Sequence, residues 1–409
     1  MINVYKLLEE DLMKKLLMVL PLFFVIFGSV TKMNAQGEAA VPFLILAPDS
    51  RASGIGESGA GLADNSAAIF WNPSGIAFLT GSEVSFTHSK WLPQFQLDLF
   101  YDYVTYRQYI EDIDGSVTAS ITYMNYGEFI RTSEAGPEQI GTFRSFDAAL
   151  TLGYATKLTQ DWGLGLNFRL IHSKLADKPT GQEKGEGIAT SVSFDISTMW
   201  RPEVFNVPFF GDLGNKFSIG VNLSNLGPKI SYIDQAQADP IPTNFRFGLA
   251  ARLFEDDFNS LTLTADMSKL LVDRGKAYRG ENLDSLVKAP KRDEFYKAIF
   301  TAWGDESFDR ELRDIVTTIG LEYWYGVPDE FMFALRGGFF YEDPSYGNRK
   351  FLTIGSGIRY DVYGFDFSYI STSAFKDGET HPLADTLRFT LLVGWGSAPQ
   401  QIRGFPRGI

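Results

Sequence analysis

The chain of 409 residues contains no cysteine and only three histidines, and both shortages exclude classes of site. Without cysteine there can be no thiolate metal ligand, and no lipidated cysteine can follow an export signal. The three histidines, His88, His172 and His381, lie on different predicted strands or loops, without the spacing of a metal-binding helix or hairpin. The sequence therefore predicts no metal site, no cofactor site and no lipoprotein anchor.

Positive charge and long apolar runs are also scarce. Lys and Arg number 37 against 50 Asp and Glu, and the net charge of −13 argues against a nucleic-acid partner. After residue 36 no apolar run approaches the roughly 20 residues that a spanning helix needs. Aromatic residues make up 15% of the chain and mean hydropathy is −0.08, which suits a soluble all-β protein or an outer-membrane barrel. If the mature protein crosses a membrane, it must cross as a β-barrel.

The first residues have the pattern of a Sec signal peptide. Met13-Lys14-Lys15 is followed by an apolar run over 16–30 and by the small-residue exit Asn34-Ala35. We predict a signal peptide over residues 1–35, with translation starting at Met13 because residues 9–11 are acidic. The alternative is an uncleaved anchor helix.

Many later segments alternate apolar with polar or small residues, as transmembrane strands do. In 260–269, for example, Leu261 and Leu263 fall on one face, and Thr262 and Thr264 fall on the other. An even number of strands, about fourteen, is predicted, and the fold class is an all-β transmembrane antiparallel barrel over 82–396. The predicted strands are 82–91, 97–107, 115–125, 143–157, 162–174, 187–201, 215–226, 243–253, 260–269, 313–325, 330–341, 350–361, 364–373 and 384–395.

The connections between these strands sort by length. Most odd-numbered ones are long, such as 126–142 and 270–312, and most even-numbered ones are short. Outer-membrane barrels have short periplasmic turns and longer external loops, so the long set is predicted to be external. Tryptophans at strand ends predict an interfacial aromatic belt. Those assigned to the periplasmic side are Trp162, Trp200, Trp324 and Trp395, and Trp91 lies at the opposite rim.

The long connection 270–312 carries a helical pattern. Phe295, Ile299, Phe300 and Trp303 recur at helical spacing after the acidic pair at 293–294, which favours a helix N-terminus. A short external helix is predicted, and these four residues are the candidates for partner binding. Its job is either to cover the barrel mouth or to dock a partner.

Two motifs suggest catalysis or nucleotide binding only weakly. Gly54-Ile55-Gly56-Glu57-Ser58-Gly59 matches the dinucleotide fingerprint, but no strand precedes it and no helix pattern follows. We interpret it as a glycine-rich segment that packs where side chains do not fit. A hydrolase would need a serine and a histidine on one strand face near the rim. His88 lies between Thr87 and Ser89, whose side chains face the other way.

The stretch 63–77, Ala-Asp-Asn-Ser-Ala-Ala-Ile-Phe-Trp-Asn-Pro-Ser-Gly-Ile-Ala, resembles the N-terminal hatch signature of the long-chain fatty-acid transporter superfamily. Together with 47–62 it is most similar to the PorV branch, which belongs to the type IX secretion system of Bacteroidota. The resemblance implies a fourteen-stranded outer-membrane barrel with a hatch, here 36–81, folded into the lumen, and a periplasmic tail at 397–409. The residues that carry the hatch signature are Asp64, Asn65, Trp71, Asn72, Pro73 and Gly75.

The resemblance also implies a non-enzymatic adaptor. Such an adaptor binds an SprA-like translocon barrel and the C-terminal signal domains of secreted cargo. It passes that cargo to an attachment complex with a PorU-like sortase, and it contacts outer-membrane lipid or lipopolysaccharide. Two other hypotheses remain open at this point: a transporter of long-chain fatty acids or other hydrophobic solutes, and an outer-membrane hydrolase.

Overall fold

The computed structural model describes residues 39–95, 97–133, 136–176, 187–208, 211–233, 238–272, 293–327, 330–371 and 383–396. The predicted signal peptide and the predicted tail lie outside the described residues.

The described residues form a closed antiparallel barrel of fourteen strands. Each strand pairs with its neighbours in the chain, and the first pairs with the last, with Ser82 opposite Trp395. A separate two-stranded hairpin, Asn206–Val207 with Gly211–Asp212, lies in one of the connections. The strands are β1 Ser82–Lys90, β2 Phe100–Ile110, β3 Gly115–Ser133, β4 Gly136–Lys157, β5 Trp162–Lys174, β6 Ile188–Trp200, β7 Asn206–Val207, β8 Gly211–Asp212, β9 Phe217–Leu226, β10 Asn244–Glu255, β11 Asn259–Leu270, β12 Val316–Gly326, β13 Phe331–Tyr341, β14 Lys350–Tyr360, β15 Tyr363–Ser371 and β16 Leu387–Trp395.

All fourteen predicted wall strands are confirmed, most with ends within three residues. The exception is the hairpin of β3 and β4, which continues through most of the predicted loop 126–142. Beyond Asn125 and Phe146 these strands pair only with each other, because the neighbouring ladders end there. The loop prediction was wrong because two strands can continue their ladder, helped by stacked Phe129 and Phe143, after leaving the barrel.

The wall has an apolar outside and a polar inside. In β5 the outward Leu166, Phe168 and Leu170 are exposed, and the inward Asn167 and Arg169 are buried. The same alternation continues round the barrel, as expected for strands between hydrocarbon and a polar interior.

Aromatic side chains mark both ends of the wall. Near the end with the longer connections, an outward row of rings has centroids 5.6–6.0 Å apart. The row consists of His88, Phe100, Tyr123, Phe146 and His172. At the opposite end Trp162 and Trp200 lie side by side, and Trp395 is exposed. The end with the longer connections is therefore the external one.

Residues 39–81 lie inside the barrel, against inward-facing residues of its strands. Asp49 and Asn72 begin two of their helical turns with side-chain caps. This part of the chain, called the luminal segment below, is almost wholly buried. Its helices are α1 Ser50–Gly54 and α2 Ala68–Trp71, with 3-10 turns at Pro42–Ile45 and Pro73–Phe78.

Two short helices occupy the described part of the long external connection. They are α3, Phe295–Thr301, and α4, Phe308–Arg313, and α3 confirms the predicted helix. Among the described residues no helix is both long and apolar enough to span a membrane.

Candidate functional site

A buried ionic network fixes the luminal segment to the wall. Arg51 of α1 donates from Nη1 to Oδ1 of Asp64 at 2.6 Å, and from Nε and Nη2 to the two carboxylate oxygens of Glu322 at 2.7 Å. Arg336 donates to the same Glu322 at 2.7 Å and to Asp366 at 2.8 Å. Bidentate pairs of this kind are among the strongest in proteins.

The network continues along the wall and is balanced in charge. Arg359 pairs with Asp366 at 2.6 Å, which completes three guanidinium groups against three carboxylates. The guanidinium groups of Arg336 and Arg359 each lie 5.2 Å from the ring centroid of Trp324. Because Trp324 is buried on the inward face, its assignment to the interfacial belt was wrong.

Further hydrogen bonds hold the backbone of the luminal segment on other sides. Oδ2 of Asp266 accepts N–H bonds from Gly59 and Ala60, both at 2.8 Å. Asn167 donates to the carbonyl of Ile69 at 2.8 Å, and Asn222 donates to that of Trp71 at 3.0 Å. Inward polar residues on separate strands thus satisfy buried backbone groups that have no ladder of their own.

The predicted hatch residues Trp71 and Asn72 are both buried within this arrangement. Nε1 of Trp71 donates to Asp49 at 2.6 Å, and the guanidinium of Arg246 lies 4.6 Å from its ring centroid. Asn72 accepts from the Ser74 hydroxyl at 2.6 Å and donates to the Ala60 carbonyl at 3.0 Å. Each side chain therefore links two parts of the segment.

The other predicted hatch residues shape its backbone. Asp64 is the partner of Arg51, and the Asn65 carbonyl accepts from the N–H of Ala68 at 3.1 Å as α2 begins. Pro73 lies against the wall at Gly165. At Gly75 a Cβ would approach that of Ala63 to 2.6 Å, so the glycine is required by this close packing.

The glycine-rich stretch 54–59 is also a packing element. Gly56 has a φ of +77°, and a Cβ there would lie 2.8 Å from backbone atoms of Ile319 and Phe339. This close approach to the wall agrees with the packing interpretation of the sequence.

The external hairpin, defined as residues 126–145, is a second prominent feature. Its strands leave the barrel, so both of their outer edges lack a strand partner among the described residues. It exposes Ile130 and Ile140, at 63% and 58%, away from the hydrocarbon-facing wall. Exposed apolar groups and open strand edges are features by which proteins recognise partners.

Helices α3 and α4 lie against the outside of the barrel and do not cover its mouth. Trp303 packs edge-on against the outward Phe245, with ring centroids 5.4 Å apart. Ile299 and Phe300 share a groove with outward wall residues, Trp303 is part of the same groove, and Phe295 is partly buried at the start of α3. Of the two roles predicted for this helix, covering the barrel mouth is therefore wrong.

One lysine anchors this external segment, and the sequence reading did not single it out. Lys269 faces outward at the end of β11, and its ammonium pairs with Glu311 at 2.9 Å and with Asp314. Burial opposes ionisation of Glu311, but the hydrogen bonds from Lys269 and from the Glu306 N–H lower its pKa below the usual value. A lysine on a hydrocarbon-facing strand position was the available signal.

Replacing Lys269 with methionine is expected to release α4 and Trp303 from the wall. The change leaves two carboxylates near an apolar surface without this counter-charge, a loss of about 3 kcal/mol in docking. Red-shifted Trp303 fluorescence and faster proteolysis within 293–315 would report it. Since the folded pKa of Glu311 is lowered, docking in the parent chain should also weaken as pH falls through that lowered pKa. Lys297→Met, at an exposed position of α3, is the control and should change neither signal.

His88 does have an acidic neighbour. Its Nδ1 lies 2.6 Å from Oδ1 of Asp102, and both side chains face outward within the external aromatic row. Its two chain neighbours, Thr87 and Ser89, are buried on the inward face. The arrangement brings no hydroxyl of a neighbouring residue in the chain to the imidazole, which a hydrolase of this design would need. No group of metal-binding side chains occurs among the described residues.

The alternating wall, the aromatic rows and the filled lumen define this protein as an outer-membrane β-barrel with an internal plug. The family model described as type IX secretion system protein PorV matches residues 31–277, more than half of the chain. The protein therefore belongs to the PorV family and is located in the outer membrane.

Solved structures with a similar barrel include two toluene transporters and a FadL homologue. The Pseudomonas putida toluene transporter TodX is 10% identical, with 89% of this chain and 97% of that one covered and a TM-score of 0.44. A Pseudomonas aeruginosa FadL homologue is 12% identical, with 85% and 95% covered and a TM-score of 0.43. The Ralstonia pickettii toluene transporter TbuX is 10% identical, with 85% and 96% covered and a TM-score of 0.39. No curated protein matches the chain.

Proposed function

We propose that the protein is a non-enzymatic adaptor of the type IX secretion system. It binds an SprA-like translocon barrel and the C-terminal signal domains of secreted proteins, and it passes this cargo to an attachment complex with a PorU-like sortase. Contact with outer-membrane lipid or lipopolysaccharide is part of the same role. The family assignment supports the pathway, and the hatch supplies the closed barrel that an adaptor can retain.

The observation that carries this proposal is the contrast between the lumen and the external face. Inward side chains of several strands, such as Glu83, Asp266 and Thr390, accept hydrogen bonds from the luminal segment. The external hairpin, in contrast, presents exposed isoleucines outside the membrane. A solute channel must move its hatch, which here means breaking the contacts of Arg51 with Asp64 and Glu322. An adaptor can leave them intact.

Affinity purification of the protein from outer membranes tests the proposal. The parent chain is expected to recover a giant barrel and secreted proteins that share a C-terminal domain. The double variant Ile130→Lys and Ile140→Lys should lower recovery of the barrel about tenfold, because central apolar contacts dominate most interfaces. Val204→Lys, at an exposed position of the periplasmic end, is the matched control and should leave recovery unchanged.

Failure to recover either class of protein from the parent chain would contradict the adaptor function. Recovery that is unaffected by the double variant would instead remove the external hairpin from the interface. Uptake of a long-chain fatty acid into vesicles containing the protein, with hatch contacts intact, would favour the transporter alternative.

A further inference from the structure

A groove of about 490 Å³ lies on the outside of the barrel wall beneath α3. This volume is within the usual range for sites that bind small molecules. The outward floor comes from β5, β6 and β9, and α3 with the residues after it forms the roof. The lining residues are Leu164, Ile196, Ser197, Thr198, Val221, Leu223, Phe245, Leu271, Ile299, Phe300 and Trp303.

The floor belongs to the hydrocarbon-facing wall. Ile196 and Val221 point outward, whereas their neighbours Ser197 and Asn222 bond the luminal segment on the other side of the same strands. The roof comes from an external connection, so the groove is reached from the outer leaflet at its Phe245 end. From there its floor runs down the wall to Leu164, two positions from Trp162 at the periplasmic end. Water is scarce at this depth, and an apolar groove there is filled by apolar matter.

Contacts at both ends of the roof fix it to the rest of the protein, so the groove forms without an occupant. Trp303 rests on Phe245, and Lys269 secures α4 just beyond it. At the other end of α3, Lys229 pairs with Glu294 at 3.3 Å. Between these supports, Phe300 is 78% exposed although it borders the groove. A large ring so placed is available to pack against something other than this chain.

We propose that this groove binds one acyl chain of a lipopolysaccharide molecule. The chemistry requires a narrow, flexible, wholly apolar ligand that enters from the outer leaflet, where lipopolysaccharide is the resident lipid. Lys229, which pairs with Glu294 just before α3, and Lys297, which is exposed on α3, would attract the phosphates of its headgroup. The bound chain would fix α3 against the wall. This proposal deepens the lipid contact of the proposed function and does not depend on translocon binding.

Native mass spectrometry of the full chain tests it. The protein is incubated in detergent with equimolar rough-type lipopolysaccharide and phosphatidylethanolamine, washed, and then analysed for retained lipid. The parent chain is expected to retain one lipopolysaccharide. Val221→Trp fills the groove from the floor and should lower the retained fraction about tenfold, equivalent to a loss of about 1.4 kcal/mol. Thr198→Phe fills the groove from β6 and should lower the retained fraction in the same way. With this second variant, a folding defect in Val221→Trp alone does not decide the result.

The control is Leu321→Trp, an outward and exposed position on β12, away from the groove. It should retain lipopolysaccharide like the parent, and all variants should show the heat-modifiable gel mobility of a folded barrel. Equal retention by the parent and both groove variants would overturn the proposal, as would preferential retention of phosphatidylethanolamine or of a polypeptide. Translocon recovery that persists in Val221→Trp would separate a lipid defect from failure of the adaptor function.

Discussion

Replacing Arg51 with methionine is expected to detach the luminal segment from the barrel wall. The change leaves the buried carboxylate of Asp64 without its bidentate partner, and it removes one of the two guanidinium groups at Glu322. Breaking a buried ion pair from one side costs about 3–5 kcal/mol because a desolvated charge remains. Loss of hatch stability should appear as protease cleavage within 39–81 and as new conductance in planar bilayers.

Two control variants separate this effect from a general loss of charge. Arg51→Lys keeps the charge but loses the planar fork, so it should give an intermediate effect. Arg310→Ala removes an exposed arginine that pairs with Glu306 at 3.6 Å, and it should change stability by less than about 1 kcal/mol. A barrel that stays protected and non-conducting in Arg51→Met would show that the network is not what retains the hatch.

The second large effect is expected from Gly338→Val in β13. Gly338 faces the lumen, where a Cβ would lie 2.6 Å from Cα of Gly56 and closer still to its amide nitrogen. Backbone atoms cannot move aside as the end of a flexible side chain can. The overpacking should therefore lower the free energy of unfolding by about 3 kcal/mol and displace residues 54–57. Urea midpoints in detergent and protease sensitivity of the hatch would measure the change.

Gly337→Val is a control matched in residue type, strand and position. Gly337 points outward, and a Cβ there would meet no atom within 4 Å. Valine at a hydrocarbon-facing strand position should change stability by less than about 0.5 kcal/mol. Similar destabilisation by both substitutions would mean that strand conformation, and not contact with the hatch, explains the need for glycine.

The sequence predicted most of the wall because residues along a strand alternate between the hydrocarbon-facing and the lumen-facing side, and so alternate between apolar and polar types. Alternation in β5, for example, gave both of its ends, Trp162 and Lys174, without error. Periodicity likewise found α3, whose apolar residues recur at helical spacing. The same pattern does not show with which strands each strand pairs along its length. The prediction therefore missed that β3 and β4 continue to pair with each other beyond the barrel.

Other properties depended on contacts between distant parts of the chain. Nothing near Arg51 in the sequence indicates Glu322 as its partner, since 271 residues separate them. Trp324 has the residue type and strand position of an interfacial belt, but its register turns it inward beneath two arginines. Placement of α3 on the outer wall likewise required the packing of Trp303 on Phe245 and the charge of Lys269.

By itself, the sequence determined the strand count, the sidedness of the loops and a hatch signature, because period, length and local motif are properties of neighbouring residues. The tertiary structure decided which side of the wall each feature serves. The luminal segment is fixed inside the barrel by the ionic network of Arg51. The external helices lie over a groove on the outer, hydrocarbon-facing wall. Both outcomes depend on pairs of residues that only closure of the barrel brings together.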